Sequence, residues 1–302
     1  METAGFAPRG PFEARYIAFL ETIGHLRPRL HRYCARMTGS LTDGEDVVQE
    51  ALFQAYRKLD TFDESRPLAP WLFRIAHNRC LDFLRARGVR EEAESEGAGP
   101  LSVAETTPTG PGLSRAMEHL VTRLPPKERA CVLLKDVFDY SLEEIAELVE
   151  STVGGVKAAL NRGRTKLAAL RADHAPPRRA SAEASQLLHL YVERFNERDW
   201  DGLRELIAAD ATLRVADRYV GRLADTPYFG NYMRLFADLR LAVAEVDGET
   251  TVVTLSRDGG SWMPRSLIQL EPSDGRIVSI VDYVHCPWIL QSAETVAVDR
   301  AS

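Results

Sequence analysis

The chain has 302 residues, of which 45% are hydrophobic and 27% are charged, and its formal net charge is −6 at pH 7. This composition is that of an ordinary globular protein with room for two or three domains, and it excludes the fibrous and the disordered classes. The first residues lack a basic segment followed by an apolar core, and no apolar run approaches the length of a membrane span. We therefore expect a cytoplasmic protein without membrane contact.

The four cysteines, Cys34, Cys80, Cys131 and Cys286, are far apart and form no C-x-x-C pair. Cys80 and Cys131 fall at apolar helix positions, so the pattern favours buried free thiols over a disulfide framework or a zinc site. The sequence indicates neither a metal nor a cofactor.

Residues 12–37 repeat apolar side chains at helical spacing, and Pro28 predicts a break between two helices. Residues 41–59 predict a further amphipathic helix, with an inward stripe at Val48, Leu52, Ala55, Tyr56 and Leu59.

Two carboxylates and an amide, Asp46, Gln49 and Glu50, lie at i, i+3 and i+4 of that helix and therefore share one exposed patch. Such a patch is either a binding surface or the ordinary solvated face of an amphipathic helix.

Pro70 suits the first position of the next predicted helix, whose inward stripe includes Leu72, Ile75, Ala76, Cys80 and Phe83. The polar face is locally basic, and aromatic side chains lie beside it. Its candidate nucleic-acid-binding residues are Trp71, Arg74, His77, Asn78 and Arg85, and Asp82 is the one residue of opposing charge. A basic groove with aromatic side chains is typical of a surface that binds single-stranded nucleic acid.

The segments DGEDVVQEALFQAYRKL and WLFRIAHNRCLDFLRAR together resemble region 2 of bacterial extracytoplasmic-function (ECF) sigma factors. The resemblance implies that Asp46, Gln49 and Glu50 dock on the β′ clamp helices of core RNA polymerase. It also implies that Trp71 to Asp82 faces the minus-10 element, and that the loop from Asp63 to Ala69 receives a flipped base.

Residues 113–170 resume the helical period. Ser141 with Glu144 predicts a capping box, and Thr152 predicts the cap of a second helix, which together form a helix-turn-helix. A recognition helix places its first side chains against base edges while flanking cations hold phosphates. The predicted base readers are Thr152, Lys157 and Asn161, and the predicted phosphate anchors are Arg162, Arg164 and Lys166.

The segment LPPKERACVLLKDVFDYSLEEIAELV with VKAALNRGRTKL also resembles region 4 of the ECF sigma factors, which reads the minus-35 element. The polymerase contact implied for this region is the β flap. The chain departs from the family at Gly154 and Gly155, which weaken the helix start, and at Ala158 and Ala159, where relatives often carry a polar or basic residue.

After a proline-containing linker, the remaining residues predict helices followed by a curved antiparallel sheet, an α+β cone. This order, with LLHLYVERFNERDWDGLRELIAADATLRV, resembles the SnoaL-like branch of the NTF2-like superfamily. The resemblance makes Asp217, Tyr219, Trp262, Asp282 and His285 candidate cavity residues. Some sigma factors carry a SnoaL-like extension that modulates their activity, so the resemblance implies a regulatory domain. No matched acid and base pair of an enzyme can be identified in the sequence.

The predicted fold is therefore multi-domain, with two all-α helical domains followed by an NTF2-like α+β domain. The predicted boundaries are 1–88 for region 2, 89–112 for an acidic linker, 113–172 for region 4, 173–184 for a second linker, 185–292 for the cone and 293–302 for a tail.

We expect a non-enzymatic ECF sigma factor whose partners are core RNA polymerase and promoter DNA, and whose cone modulates activity by contact with the sigma domains. Two alternatives remain open. One is a helix-turn-helix regulator that acts without polymerase, and the other is a bifunctional protein whose cone binds or converts a small molecule.

Overall fold

The structure is a computed structural model, and it describes residues 11–63, 65–97, 123–170, 182–216, 218–236, 238–293 and 295–299. The described residues divide into two compact units, the first ending at residue 170 and the second beginning at residue 182. The first unit is helical and the second combines helices with one sheet, which confirms the predicted fold class.

The helical unit opens with three long helices, α1 (Pro11–Thr38), α2 (Leu41–Arg57) and α3 (Leu68–Gly97). The predicted break at Pro28 is wrong, because α1 continues through it. The carbonyl that a helical proline leaves unpaired belongs to the residue four positions earlier, here the exposed Gly24, where water can bind it.

Helix α3 is longer than predicted, since it continues to Gly97 and places the expected linker start at residue 89 inside a helix. Its last turns contain arginine, glutamate and alanine, which favour helix more strongly than the residues of a flexible linker. The rest of that predicted linker lies outside the described residues.

The second helical region consists of α4 (Pro126–Val132), a π-helical turn (Leu133–Val137), α5 (Leu142–Leu148) and α6 (Val153–Leu170). The capping box is confirmed, because Ser141 Oγ accepts from the Glu144 N–H at 3.1 Å and Glu144 Oε2 accepts from the Ser141 N–H at 2.7 Å. Helices α5 and α6 form the predicted helix-turn-helix.

Both helical regions share one hydrophobic core. Tyr33 and Phe73 of the first region lie against Phe138 of the second, with ring centroids 5.9 and 6.3 Å away. Arg129 is 7% exposed and donates to the carbonyl oxygens of Met37 and Leu124. The division of these helices into two domains therefore stays a prediction.

The second unit has four α-helices, one short 3-10 helix and seven strands among the described residues. The helices are α7 (Ala182–Glu197), α8 (Trp200–Leu206), α9 (Tyr228–Leu235) and α10 (Trp288–Gln291). The strands are β1 (Ile207–Val215), β2 (Tyr219–Arg222), β3 (Arg240–Val246), β4 (Glu249–Asp258), β5 (Ser261–Ser273), β6 (Arg276–Asp282) and β7 (Val296–Val298).

The strands form a single sheet in the order β2-β1-β6-β5-β4-β3-β7. The sheet is mixed and not wholly antiparallel as predicted, because β1 pairs parallel with β6. The elements β2, α10 and β7 were not predicted, and β7 lies inside the predicted tail, where it pairs with β3. The architecture is consistent with an NTF2-like cone.

Candidate functional site

Helix α2 presents Asp46, Gln49 and Glu50 on one face, with Glu50 exposed and the other two half-buried. The neighbouring Glu45 has no exposed surface and accepts from Arg27 at 2.6 Å, while the Gln49 amide lies 3.5 Å from the same carboxylate. A buried carboxylate with a paired guanidinium holds its helix in place far better than an unpaired charge. The helix that carries Asp46, Gln49 and Glu50 is therefore fixed to α1 by the pair of Glu45 and Arg27.

The same face carries an aromatic side chain that the sequence analysis missed. Phe53 is 64% exposed and lies three residues beyond Glu50, so the two share a helix face. Tyr56, which we expected to point inward, is 45% exposed and meets the ring of Tyr16 at 5.7 Å. Exposed aromatic side chains are enriched in the centres of protein interfaces.

Three of the predicted minus-10 residues, Trp71, Arg74 and Asn78, come together on α3. They line a polar cavity of about 280 Å³. Trp71 also packs on Phe62, with ring centroids 4.8 Å apart. Glu150, from the turn between α5 and α6, lines the same cavity. The helix-turn-helix region therefore places a carboxylate beside predicted DNA-binding side chains.

Asp82 is paired with two arginines of the basic face of α3. Its carboxylate accepts from Arg79 and, at 2.7 Å, from Arg85, whose side chain is 70% exposed. In the preceding loop, Asp63 Oδ1 accepts from the hydroxyl of Ser65 at 2.7 Å and from its N–H at 3.0 Å. These bonds lower the pKa of Asp63 and keep it ionised.

His77 does not lie on the nucleic-acid-facing surface as predicted. It is 3% exposed, and its Nδ1 lies 2.8 Å from the hydroxyl of Tyr33. Burial lowers the pKa of His77 to about 4, so the ring is neutral at pH 7. His77 therefore packs in the core of the helical unit and does not reach the surface predicted to contact DNA.

The recognition helix presents Lys157 and Asn161 to solvent. Thr152 is exposed, but its hydroxyl oxygen already accepts from the Gly155 N–H at 3.0 Å and caps α6. Lys157 and Asn161 are therefore better placed than Thr152 to contact bases.

The three predicted phosphate anchors are paired with carboxylates. Arg162 and Lys166 donate to Glu128 at 2.9 and 2.8 Å, and Arg164 donates to Asp136. Hydrogen bonds from Lys166 and Arg162 lower the pKa of Glu128. The three cationic side chains remain about half exposed, whereas the Glu128 carboxylate that binds Arg162 and Lys166 is only 8% exposed. The cations can reach a phosphate, but their loss would leave a nearly buried carboxylate unpaired, which is costly.

The second unit contains a cavity of about 390 Å³. Of the five predicted cavity residues, Tyr219, Asp282 and His285 line it. Trp262 does not line it, and Asp217 lies outside the described residues.

Trp262 lies instead at the end of the β4–β5 hairpin, opposite Arg257. The guanidinium carbons of Arg240 and Arg257 lie 5.1 and 5.3 Å from its ring centroid. These two cation–π contacts account for the position of Trp262. They depend on the pairing of three strands, which the sequence pattern of a single strand does not show.

Asp282 is the charged centre of the cavity wall. Its Oδ2 accepts from the hydroxyls of Tyr232 at 2.6 Å and Tyr228 at 3.0 Å, and its Oδ1 accepts from the Val284 N–H at 2.8 Å. The side chain is fully buried, and burial raises the pKa of Asp282 to about 6 despite these three bonds. Asp282 is one of the predicted cavity residues, whereas the two tyrosines that donate to it were not predicted.

No helix within the described ranges is long and apolar enough to cross a membrane. Within those same ranges no group of three or more His, Cys, Asp or Glu side chains could hold a metal ion.

The family model of sigma-70 region 2 matches residues 22–90, and that of sigma-70 region 4 matches residues 114–167. These are the two helical regions described above, so the chain has the two DNA-binding modules of a sigma-70-type factor joined to an α+β unit.

Proteins similar to this chain include ECF sigma factors. The ECF RNA polymerase sigma factor SigG of Mycobacterium tuberculosis is 28% identical, over 91% of this chain and 84% of the relative. The ECF RNA polymerase sigma factor SigW of Bacillus subtilis is 31% identical, over 50% of this chain and 87% of the relative. The solved structure of the M. tuberculosis ECF sigma factor SigJ is 20% identical with a TM-score of 0.36, and the match covers 87% of this chain and 95% of that one.

The chain belongs to the ECF RNA polymerase sigma factors. Its function is promoter-specific transcription initiation with RNA polymerase, and sigma factors in general are not enzymes.

Proposed function

We propose that Asp46, Gln49 and Glu50 form the surface that binds core RNA polymerase, on the β′ clamp helices, and that the second helical region contacts the β flap. The observation that carries this assignment is the shared face on α2, backed by the buried Glu45–Arg27 pair. Phe53 adds an exposed apolar centre to a charged rim, an arrangement common at binding hot spots.

We propose that Trp71, Arg74 and Asn78 contact the melted minus-10 strand, with Asp63 in the loop that receives a flipped base. Arg85 is exposed and can hold a phosphate, while Asp82 orients it. His77 supports this surface from inside the core, where its ring fixes the spacing of α1 and α3.

We propose that α6 reads the minus-35 duplex through Lys157 and Asn161. Arg162, Arg164 and Lys166 then exchange Glu128 and Asp136 for DNA phosphates. The phosphate contacts release counterions from the DNA, and this release offsets the cost of leaving the nearly buried Glu128 carboxylate unpaired.

We infer that the helical unit must open on a promoter. The two elements lie about 25 base pairs apart, which is roughly 85 Å of duplex at about 3.4 Å per base pair. A unit of this size has a radius of gyration of only about 15 Å, and its two regions share a core in which Phe138 packs on Tyr33 and Phe73. Opening also withdraws Glu150 from the predicted minus-10 residues.

We propose that the α+β unit modulates this activity by contact with the helical regions, that the chain has no catalytic activity of its own, and that it acts in the cytoplasm with polymerase. The resemblance of this unit to a regulatory extension supports the modulating role.

The test is promoter-dependent transcription by purified core polymerase on a promoter library. The full chain is compared with Asp46→Arg/Glu50→Arg and with a control of equal charge change, Asp201→Arg/Glu205→Arg, on exposed positions of α8. We expect loss of core binding and transcription in the first variant alone. Normal core binding by that variant would remove the patch assignment.

A chain stopped after Arg171 tests the regulatory role. Higher transcription from the shortened chain identifies the α+β unit as an inhibitor, and lower transcription identifies it as a support. Equal transcription at equal protein concentration contradicts a regulatory role.

A further inference from the structure

Arg29 of α1 joins the two helical regions at the surface of the helical unit. Its guanidinium carbon lies 5.0 Å from the ring centroid of Tyr140, 5.5 Å from that of Phe73 and 5.9 Å from that of Phe138. Tyr140 and Phe138 belong to the second helical region, and Phe73 belongs to the first. Nη2 of Arg29 also donates to the carbonyl oxygen of Phe138 at 3.4 Å. One side chain therefore makes cation–π contacts with both regions.

The contact of Arg29 lies at the edge of the shared core and not within it. Arg29 is exposed, and no carboxylate of the described residues forms an ion pair with it. Tyr33, by contrast, is fully buried, so its replacement would disturb the packing inside each region. Replacing Arg29 removes a contact between the regions and leaves the buried packing of each region in place.

The rings that receive Arg29 extend from the π-helical turn. The Tyr140 N–H donates to the carbonyl oxygen of Leu134 at 2.9 Å, and the Tyr140 carbonyl oxygen accepts from Lys135 Nζ at 3.0 Å. Between the two rings, Asp139 has a φ of 55°, in the left-handed region that residues with a side chain rarely adopt. π-helical turns and strained backbone positions are common at functional sites and switches. The local structure therefore fixes these rings where Arg29 contacts them.

We propose that Arg29 is a latch that holds the helical unit closed, and that its release from Phe138 and Tyr140 sets the fraction of molecules able to bind core polymerase and a promoter. The proposal rests on the opening inferred above, because the two regions must separate to reach both promoter elements. In the closed form Glu150 lines the polar cavity together with Arg74. The latch therefore also controls access to the predicted minus-10 surface.

The distance between the two regions tests the latch in the absence of DNA. Nitroxide labels are attached to the full chain at Glu21→Cys on α1 and Glu147→Cys on α5, which are exposed positions, whereas the four natural cysteines are buried. Pulsed electron double resonance then measures the closed and open populations. We expect Arg29→Gln to raise the ratio of open to closed molecules about tenfold, which corresponds to about 1.4 kcal/mol.

The same change should alter the affinity for core polymerase. When few molecules are open, the apparent dissociation constant varies inversely with the open fraction. Arg29→Gln should therefore bind purified core polymerase about tenfold more tightly than the natural chain. Arg32→Gln is the matched control, because Arg32 is also exposed on α1 and makes no cation–π contact with the described residues. It should behave like the natural chain in both measurements.

A second variant approaches the contact from the other region. Tyr140→Leu removes the ring that lies nearest to Arg29 and should also open the unit. Combined with Arg29→Gln, it should open the unit by less than the sum of the two single effects, because both changes remove one shared contact. Near-ultraviolet circular dichroism establishes that each variant keeps its fold.

The latch is refuted if Arg29→Gln matches Arg32→Gln in either measurement, or if the effects of Arg29→Gln and Tyr140→Leu add in full. A labelled natural chain that keeps its short distance when bound to core polymerase and promoter DNA would contradict the opening itself, and the latch with it. Failure of the latch alone leaves the long distance in that complex unchanged, so the two failures are distinguishable.

Discussion

The hydroxyl of Tyr33 lies 2.8 Å from Nδ1 of His77, and this bond joins α1 to α3 inside the core of the helical unit. Both side chains are buried, at 0% and 3% exposure. Because burial lowers the pKa of His77 to about 4, the native fold resists protonation that the unfolded chain accepts near pH 6.5. The bond therefore makes the helical unit sensitive to acid.

Acidification should destabilise the helical unit through His77. The unfolded state binds the additional proton between about pH 6.5 and 4, so stability falls as pH falls through that window, by about 3 kcal/mol in total. In His77→Gln the loss between pH 7 and 4.5 should be smaller by about 2–3 kcal/mol. Hydrogen exchange of peptides from α1 and α3 measures this, with the exposed His25→Gln as control. An unchanged pH dependence in His77→Gln would contradict the buried pair.

Replacing Asp282 should stabilise the second unit at neutral pH. Its pKa of about 6 exceeds the unfolded value, so its contribution to stability is present below about pH 4 and is lost as pH rises through 6. Asp282→Asn should therefore raise the free energy of unfolding at pH 7.5 by about 1–3 kcal/mol, with no gain at pH 4. Hydrogen exchange of β1 and β6 reports it, and the exposed Asp225→Asn is the control. A less stable variant at pH 7.5 would show that the three hydrogen bonds outweigh the burial cost.

Removing the charge of Glu128 should strengthen DNA binding. Glu128→Gln leaves Arg162 and Lys166 without their shared carboxylate and removes a negative charge beside the DNA. We expect affinity for duplex DNA to rise roughly threefold to tenfold at low salt and less at high salt, because the effect is electrostatic. Fluorescence anisotropy measures it, with Glu205→Gln, which makes the same change in net charge, as control. An affinity equal to that of the Glu205→Gln control would show that Arg162 and Lys166 do not contact the DNA.

Two glycines of the first helices should respond in opposite directions to alanine. A Cβ at Gly44 would lie 2.5 Å from the backbone of Ala35, where α2 approaches α1, so Gly44→Ala should cost at least about 1–3 kcal/mol. A Cβ at Gly24 meets nothing within 4 Å, so Gly24→Ala should stabilise α1 by about 0.5–1 kcal/mol. Chemical denaturation of both variants tests the contact, and equal effects would contradict it.

Local features of the chain were predictable because their causes lie within a few residues. The capping box of Ser141 and Glu144 and the cap at Thr152 need only neighbouring backbone groups. The face of Asp46, Gln49 and Glu50 needs only the helical period. These are the features on which the helix-turn-helix and the α2 patch depend.

Features that depend on distant parts of the chain were not predictable in the same way. His77 occupies a polar-face position of α3, and only its contact with Tyr33 of α1 shows that this one position is buried. The parallel pairing of β1 with β6 and the position of Trp262 between two arginines arise from strand order. Asp282 was named as a cavity residue, but its lack of a counter-ion is visible only once its neighbours are known.

The shared core of the helical unit also sets how affinities for this protein should be interpreted. When only a fraction of molecules is open, the apparent dissociation constant exceeds the intrinsic one by the inverse of that fraction. A preference of about 3 kcal/mol for the closed form would weaken measured promoter binding roughly 150-fold without changing any contact to DNA. Substitutions in the packing of Phe138 on Tyr33 and Phe73 can therefore tighten promoter binding from positions that never touch a base.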